Sequence, residues 1–380
     1  MSIAGTDAAE ARRRANTALD YFNLKLGPAE MRLGASLGLE YNDNVLLTAY
    51  HQLDDFIFHP GMSAQILLQI TEKNALNLNL DMGYSAYLFH PELNRIFIGP
   101  GSELSFDLYA GDLWLNLHDR FSITENSYQD PTVTGTGNYS RLENAMGLAA
   151  AWELNKLVLR TGYDHVNYVA LSGSNGQPDG ESELLSSSAG FKLKSGMVAG
   201  VELGAGLVHY MGTNPFFSDA KQWNAGVFFN TQVSQYIHCR SSLGYTEYLA
   251  ETGNNSDDIY LQLDIEHKVN EFMYCTLTGG RTISFAFYGG SVDLTYARWI
   301  ANWNIVRKLT ISTSLNYEHG AQVGAMGEMF DRYGLGITLS RTITSRLTAV
   351  ISDQFYWRSS NFAGREYENN ILSLNCNYRF

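Results

Sequence analysis

The stretch Ala75–Leu88 reads ALNLNLDMGYSAYL, and its side chains alternate between two chemically different faces. The even-numbered positions carry mostly Leu together with Met82 and Tyr84, whereas the odd-numbered positions include Asn77 and Asp81. An alternation of period two is typical of a β-strand. The run is longer than the roughly 5–6 residues of an average strand, and it exceeds the ~9–11 residues that a tilted strand needs to cross a membrane. The stretch therefore predicts a membrane-spanning strand.

The same alternation recurs along the chain, for example over residues 222–233, 259–269 and 309–318. A face that carries Asp, Glu and Lys cannot be the packed core of a sandwich, and an apolar face of this length cannot remain in water. A closed barrel in lipid satisfies both faces because every backbone group is paired within it. The sequence thus predicts an all-β fold, namely a transmembrane antiparallel up-and-down β-barrel.

Short connections alternate with longer ones. The short turns are predicted near residues 72–74, 111, 153–156, 195–196, 234–235, 270–271, 307–308 and 344–346. The longer connections are predicted at residues 43–55, 89–98, 124–138, 171–182, 212–220, 250–257, 286–290, 319–327 and 359–365. This alternation gives about 18 strands and places both termini on the periplasmic side of a bacterial outer membrane. A change of phase between Tyr296 and Trp299 predicts a β-bulge near Ala297 or Arg298.

The composition agrees with a barrel and excludes several classes of protein. Of the 380 residues, 45% are hydrophobic and 13% aromatic, while only 17% are charged, compared with roughly 25% in soluble domains. The net charge is −13, so we expect no nucleic acid partner, because phosphate binding requires a basic surface. Cys239, Cys275 and Cys376 lack the spacing of metal ligands and are expected to face lipid. We therefore expect no metal site and no cofactor.

Residues 1–28 differ from the rest of the chain because they are rich in helix formers. Thr6 can cap a helix and Gly27-Pro28 would end the pattern, so a helix is predicted over about residues 8–23. The predicted domains are an N-terminal periplasmic helical segment at residues 1–28 and a transmembrane β-barrel at residues 29–380. The segment is a candidate contact for a periplasmic or envelope protein. No apolar signal-peptide core precedes it, which favours a mature chain.

The chain ends with ILSLNCNYRF, in which outward positions alternate up to Tyr378 and Phe380. This ending resembles the C-terminal assembly signal of bacterial outer-membrane proteins, which implies the barrel-assembly machinery as a partner. The stretch Leu33–Val45, LGASLGLEYNDNV, resembles the first strand of a family of outer-membrane β-barrel porins. That family includes barrels associated with capsular or exopolysaccharide export, and the resemblance implies a barrel without catalysis.

Two short patterns resemble parts of catalytic motifs. Gly34–Gly38 matches GxSxG, but a nucleophile elbow requires a sharp strand-to-helix turn, and this match lies inside an alternating strand. His118 is predicted to face inward, where a lone His in a polar lumen is usually a wall residue. An outer-membrane enzyme that uses Ser36 and His118 is therefore the least favoured hypothesis, and the chain is predicted not to be an enzyme.

Charged side chains of both signs lie on the polar face in nearly equal numbers, which is compatible with a water-filled channel of mild selectivity. The predicted pore-lining residues are Arg32, Glu40, Asp81, Asp107, Arg120, Arg141, Glu143, Arg160, Arg240, Asp264, Glu266, Lys268, Glu318, Arg332 and Arg358. The first hypothesis is a porin-like channel for passive passage or export of polar solutes, with saccharides as a candidate class. The alternative is a structural or assembly barrel with a closed lumen that anchors a partner complex. In both cases the surrounding partners are outer-membrane lipids and lipopolysaccharide.

Overall fold

The computed structural model describes residues 22–124, 130–135, 140–171, 178–212, 217–252, 255–285, 290–323 and 327–380. Its strands are β1 (Leu24–Leu26), β2 (Ala29–Asn42), β3 (Asp55–Gln69), β4 (Ala75–Tyr87), β5 (Arg95–Ile98), β6 (Glu103–Ala110), β7 (Leu113–Thr124), β8 (Arg141–Glu153), β9 (Leu157–Ala170), β10 (Asp179–Lys194), β11 (Met197–Met211), β12 (Ala220–Ser234), β13 (Ile237–Ala250), β14 (Ser256–Lys268), β15 (Met273–Phe285), β16 (Ser291–Val306), β17 (Leu309–Val323), β18 (Met329–Thr342), β19 (Leu347–Ser360) and β20 (Tyr367–Arg379). All pairings are antiparallel. Each joins two strands that are consecutive in the chain, apart from β2–β20, which closes the barrel, and β4–β6 and β5–β7, which surround the divided strand formed by β5 and β6.

These segments form 18 spanning strands. The short β1 pairs only with the start of β2, and β5 and β6 are two parts of one spanning strand because β4 pairs with both. The barrel closes where β2 pairs with β20, from Gly34 opposite Arg379 to Asn42 opposite Ile371. The predicted closed antiparallel barrel of about 18 strands is therefore confirmed.

The two faces of the wall follow the alternation in the sequence. Residues directly opposite each other on paired strands point to the same side of a sheet. On the outer side, Leu37 lies opposite Cys376 and Leu39 lies opposite Leu374, and Leu37 is 50% exposed. On the inner side, Asn116 is fully buried. An outer face of exposed Leu, Ile, Val and Phe matches the lipid-facing band of an outer-membrane barrel.

The predicted β-bulge near Ala297 or Arg298 is wrong. The pairing of β16 is continuous from Ser291 to Asn304 and shifts only beyond Asn304. The apolar side chains that suggested a change of phase simply point inward. Val292 is 1% exposed and packs against Phe330 inside the barrel, with Leu294 beside them. An interior apolar cluster thus produces the same sequence pattern as a lipid-facing stretch.

Two further boundaries differ from the prediction. Arg95–Ile98 is strand rather than loop, and β17 continues to Val323. Residues 8–21 of the predicted N-terminal helix lie outside the described residues, whereas Leu24–Leu26, near the end of the same segment, is a strand. Among the described residues the helical structure is one 3-10 turn at Pro91–Leu93. No helix in the described part of the chain is long and apolar enough to span a membrane.

Candidate functional site: the lumen and its extracellular mouth

The pairing registers place the predicted pore-lining residues on one face of the wall. Arg32 lies in the same cross-strand row as Gln65, Asn79, Glu103 and Arg120. The same alternation places the other members of the predicted set on this inward face, from Glu40 to Arg358. The predicted pore-lining residues thus lie on the inner wall of the barrel. Their role in conduction is a prediction.

Many of these charges are paired within the wall. Asp164 of β9 accepts hydrogen bonds from His118 Nε2 at 2.6 Å and from the Arg120 guanidinium. Arg332 of β18 binds Glu318 of β17 at 2.5 Å. Positive and negative side chains therefore neutralise each other over short distances, so the wall presents alternating charges and not an electrostatic field of one sign.

Other predicted wall residues make similar local contacts. Arg141 binds Glu143, its neighbour but one on β8. The carboxylate of Asp107 accepts hydrogen bonds from Trp114 Nε1 at 3.0 Å and Asn116 Nδ2 at 2.8 Å. Because Trp114 is held by Asp107, its indole lies against the wall.

Inward aromatic rings lie over glycines of neighbouring strands. A Cβ atom added to Gly200 would lie 2.7 Å from the Phe228 ring, and one added to Gly244 would lie 2.5 Å from the Tyr260 ring. Side-chain atoms essentially never approach so closely, so these positions accept only glycine without movement. The hydroxyl of Tyr260 then donates to Glu202 at 2.7 Å. The rings therefore line the wall of the lumen, and glycines provide the space for them.

The extracellular mouth is narrowed by loops that pack inside it. In the loop between β2 and β3, Asn44 is fully buried and donates to the carbonyl oxygens of Thr48 and Glu368 at 2.9 and 2.8 Å. Leu47 in the same loop is 1% exposed and has a φ of 51°, a left-handed conformation that is costly for leucine. Its carbonyl oxygen accepts the N–H of Gly135, so this loop is joined to the described part of the loop between β7 and β8.

A buried ion network around β19, two strands from β2, holds the same region. Arg358 of β19 is fully buried and donates to Glu328 Oε1 at 2.8 Å, to the carbonyl oxygen of Arg365 at 2.6 Å and to that of Pro131 at 3.2 Å. Arg365 binds Glu328 Oε2 at 2.7 Å and donates to Thr134 Oγ1 at 3.1 Å. Residues 130–135 are therefore fixed to the wall by two arginines that share one carboxylate. We call Glu328, Arg358 and Arg365 the mouth network.

A further carboxylate lies near this network in the loop between β19 and β20. Glu366 accepts the N–H of Gly364 at 2.8 Å. Hydrogen bonds from backbone N–H groups, first its own and then that of Gly364, hold the pKa of the Glu366 carboxyl below its usual range. This loop therefore presents a stable anion at the extracellular side.

Two recesses open along the inner wall. One has a volume of about 610 Å³ and is formed by β15–β19, with Arg298, Glu318, Arg332, Gln354 and Tyr356 among its lining residues. The other lies between β9 and β14, and its lining includes the predicted residues Arg160, Arg240 and Asp264. Mixed charge, amides and aromatic rings suit contact with hydrated polar molecules.

The sequence alone did not identify part of this site. Asn44, Glu328 and Arg365 lie in loops, where no periodicity reports orientation, and the β-bulge predicted near Arg298 leaves the orientation of that residue undefined. Arg358 was predicted to face inward, but its buried partners come from three different loops. The one available signal was the presence of two arginines, Arg358 and Arg365, and one acidic residue, Glu328, near predicted loop ends on the same side of the barrel. Position in the sequence alone does not predict that the three side chains are in contact.

Comparisons with known proteins identify the fold. No protein-family model matches the chain, and no curated protein matches it. The structure is similar to that of the Pseudomonas aeruginosa outer membrane protein OpdK, with 11% identity, a TM-score of 0.51, and coverage of 92% of this chain and 99% of that chain. It is also similar to OpdQ of the same organism, with 11% identity, a TM-score of 0.54, and coverage of 93% and 98%. A third similar structure is P. aeruginosa OccK2 (OpdF) in complex with glucuronate, with 12% identity, a TM-score of 0.53, and coverage of 93% and 99%. This likeness extends over nearly the whole of each chain and shows an outer-membrane β-barrel fold.

Proposed function

We propose that the protein is a porin-like channel of the bacterial outer membrane for the passive passage or export of polar solutes. The observation that supports this most directly is the recess of about 610 Å³ on the inner wall of an 18-strand barrel. A barrel of about this size has room for water beside its inward side chains. The proposal assigns no chemistry to the wall, since Ser36 lies inside the continuous strand β2 and not on an elbow.

The solute class that fits the wall is small, hydrated and rich in hydroxyl groups. Tyr356 and Tyr296 line the same recess as Asn316 and Gln354, so a ring of a saccharide would meet both aromatic faces and hydrogen-bonding amides. One similar structure was solved with glucuronate, which makes uronates and neutral sugars the first solutes to compare for this chain. Export of an exopolysaccharide is part of the same proposal, but it requires the lumen to pass a polymer and not only a small solute.

The test is the conductance of the purified protein in a planar lipid bilayer. We expect steady single-channel currents, and we expect Arg298→Glu to shift the reversal potential towards cation selectivity because Arg298 lines the recess. Arg341→Glu is the matched control, since Arg341 lies opposite Leu309 in an outward row. No current from the folded protein in any lipid composition would refute the channel.

The alternative is a closed barrel that anchors a partner, and the mouth network is the observation that favours it. If residues 130–135 seal the lumen, conductance should appear only when Glu328 or Arg358 is substituted. In either form, we propose contacts with lipopolysaccharide, with a periplasmic or envelope partner through residues 1–28, and with the assembly machinery through Tyr378 and Phe380. The ring centroids of Tyr378 and Phe380 are 5.4 Å apart at the periplasmic rim, where a C-terminal signal would be read.

A further inference from the structure

The outer wall of β7–β10 carries polar side chains at a depth where the outer face of β18 is apolar. On β9 the outward positions include Thr161, Tyr163, His165 and Asn167, as the pairing with β8 and β10 shows. By contrast, the outward positions of β18 in its central part are Leu335, Ile337 and Leu339, each at least 36% exposed. A lipid tail offers no hydrogen-bond partner, so polar groups at this depth are expensive unless another protein covers them.

The position of Asp119 along β7 indicates how deep in the membrane this polar face lies. It lies on the outward row of β7 between Leu117 and Phe121, and opposite Met146 of β8. Leu117 and Met146 are 54% and 57% exposed, as expected for side chains in contact with lipid. Asp119 is six residues beyond Leu113, where β7 begins, which places it roughly 15 Å above the periplasmic end of the wall for a strand tilted by about 40°. It therefore lies near the middle of the membrane.

The polar groups of this face are partly paired within the chain. Asn144 Nδ2 donates to Asp119 Oδ1 at 2.5 Å. Glu183 of β10 accepts hydrogen bonds from His165 Nδ1 at 2.9 Å and from the Tyr163 hydroxyl at 2.5 Å. The carboxylates are thus occupied by donors of their own chain, whereas the amide and hydroxyl groups retain further donor and acceptor capacity.

A groove lies in the same wall on the periplasmic side of the polar residues. It has a volume of about 450 Å³, and its floor is made of the small residues Ala150, Thr161, Ser187 and Ala189. Thr161 Oγ1 and Ser187 Oγ are 3.0 Å apart on this floor. Small residues allow two membrane-embedded backbones to approach closely, and hydroxyl groups can bond across such a contact.

We infer that the outer face of β7–β11 is the interface with a second copy of this chain, related by a two-fold axis along the membrane normal. The occupant must lie in the same membrane and must offer donors and acceptors at the same depth. A two-fold axis of this kind keeps every residue at its own height, so amides and hydroxyls of one copy face the same groups of the other. These groups are self-complementary because each can both donate and accept.

The available area is sufficient for such a pair. Five strands at ~4.8 Å spacing and an apolar band of ~25 Å give roughly 500–600 Å² for each copy. The total of about 1,000–1,200 Å² reaches the lower limit for a specific interface. The inference depends on the barrel fold and not on conduction, so it stands or falls separately from the proposed channel.

Cysteine cross-linking in outer-membrane vesicles tests this interface. The background variant replaces Cys239, Cys275 and Cys376 with alanine. Ala150→Cys or Ala189→Cys is then treated with an oxidant and with a short bis-maleimide, and Ala35→Cys on the outer face of β2 serves as the control. We expect a cross-linked dimer from at least one groove variant and none from the control. Cross-linked trimers, a product with a different protein, or no product from either groove variant would overturn the inference.

A second measurement uses the mass of the protein in mild detergent. Ala189→Trp fills the groove on the outer surface, while Ala35→Trp adds the same side chain elsewhere on that surface. We expect a dimer for the unmodified protein and for Ala35→Trp, and a monomer for Ala189→Trp, with all three showing the gel mobility shift of a folded barrel. A monomeric unmodified protein, or a dimer that Ala189→Trp leaves intact, would contradict the proposed surface.

Discussion

At the residue scale, Arg358 connects three loops at the extracellular mouth. Its guanidinium is fully buried and contacts Glu328 together with the backbone of Pro131 and Arg365. A buried ion pair stabilises little compared with an apolar replacement, but removal of one partner leaves an uncompensated charge. The mouth network therefore behaves as a unit, in which each member is needed because the others are present.

We predict that Arg358→Ala lowers the free energy of unfolding by about 3–5 kcal/mol and raises the single-channel conductance or its noise. The reason is that Glu328 loses a buried partner and residues 130–135 lose their contact with the wall. Urea unfolding in lipid vesicles and bilayer recording would measure the two effects. Arg307→Ala, an exposed change at a periplasmic turn, is the control. Equal unfolding midpoints for both variants would refute the role given to Arg358.

The residue scale also shows how much of the site the sequence contained. Alternation was enough to place Arg332 and Arg358 on the inward face, because a period of two fixes orientation along a strand. It could not indicate that Glu328 lies between Arg358 and Arg365, since loop closure brings these positions together. Nor could it predict the left-handed conformation of Leu47, which results from the contacts of its loop.

At the element scale, the recurrent contact is an inward aromatic ring on a glycine of the next strand. Tyr260 of β14 covers Gly244 of β13, and Phe330 of β18 covers Gly320 of β17. In both cases the glycine lies one strand before the ring. Strand alternation can place such rings on the inward face but cannot show whether they fill the lumen, because the space under each ring depends on cross-strand register. The misread stretch of β16 has the same origin, since inward apolar residues there pack on Phe330.

We predict that Gly244→Ala destabilises the barrel by about 1–3 kcal/mol, the usual cost of overpacking. The added methyl group would lie 2.3 Å from the carbonyl oxygen of Ala225 and 2.5 Å from the Tyr260 ring, so the neighbouring backbone and the ring must both move, and the hydrogen bond of Tyr260 to Glu202 must weaken. Gly206→Ala is the matched control, because its methyl group would lie 3.3 Å from the end of the Leu184 side chain and at an ordinary contact distance of 3.9 Å from the carbonyl oxygen of Glu183. Tryptophan fluorescence during urea unfolding would compare the two. The idea fails if Gly206→Ala is as damaging as Gly244→Ala.

At the scale of the whole molecule, closure of the barrel leaves part of β2 beyond the end of β20. The pairing with β20 begins at Gly34, whereas β2 begins at Ala29. The short β1 occupies this edge, with Lys25 opposite Glu30. Asn23 extends it, since its side chain donates to the carbonyl oxygen of Leu33 at 2.8 Å and accepts the N–H of Leu33 at 3.0 Å. Strand stagger, which follows from the tilt of all 18 strands, creates the edge that β1 covers.

This arrangement predicts different outcomes for two N-terminal deletions. Removal of residues 1–21 leaves β1 in place and should preserve the unfolding midpoint, whereas removal of residues 1–28 exposes the unpaired edge of β2 and should lower both the midpoint and the yield of refolding. Asn23→Ala in the full chain should lie between them, with a loss of about 1–2 kcal/mol for its two hydrogen bonds. Heat-dependent gel mobility and urea titration would measure these effects. If the two deletions unfold at the same midpoint, β1 does not contribute to closure, and any difference in conductance between them must come from the loss of residues 22–28 by another route.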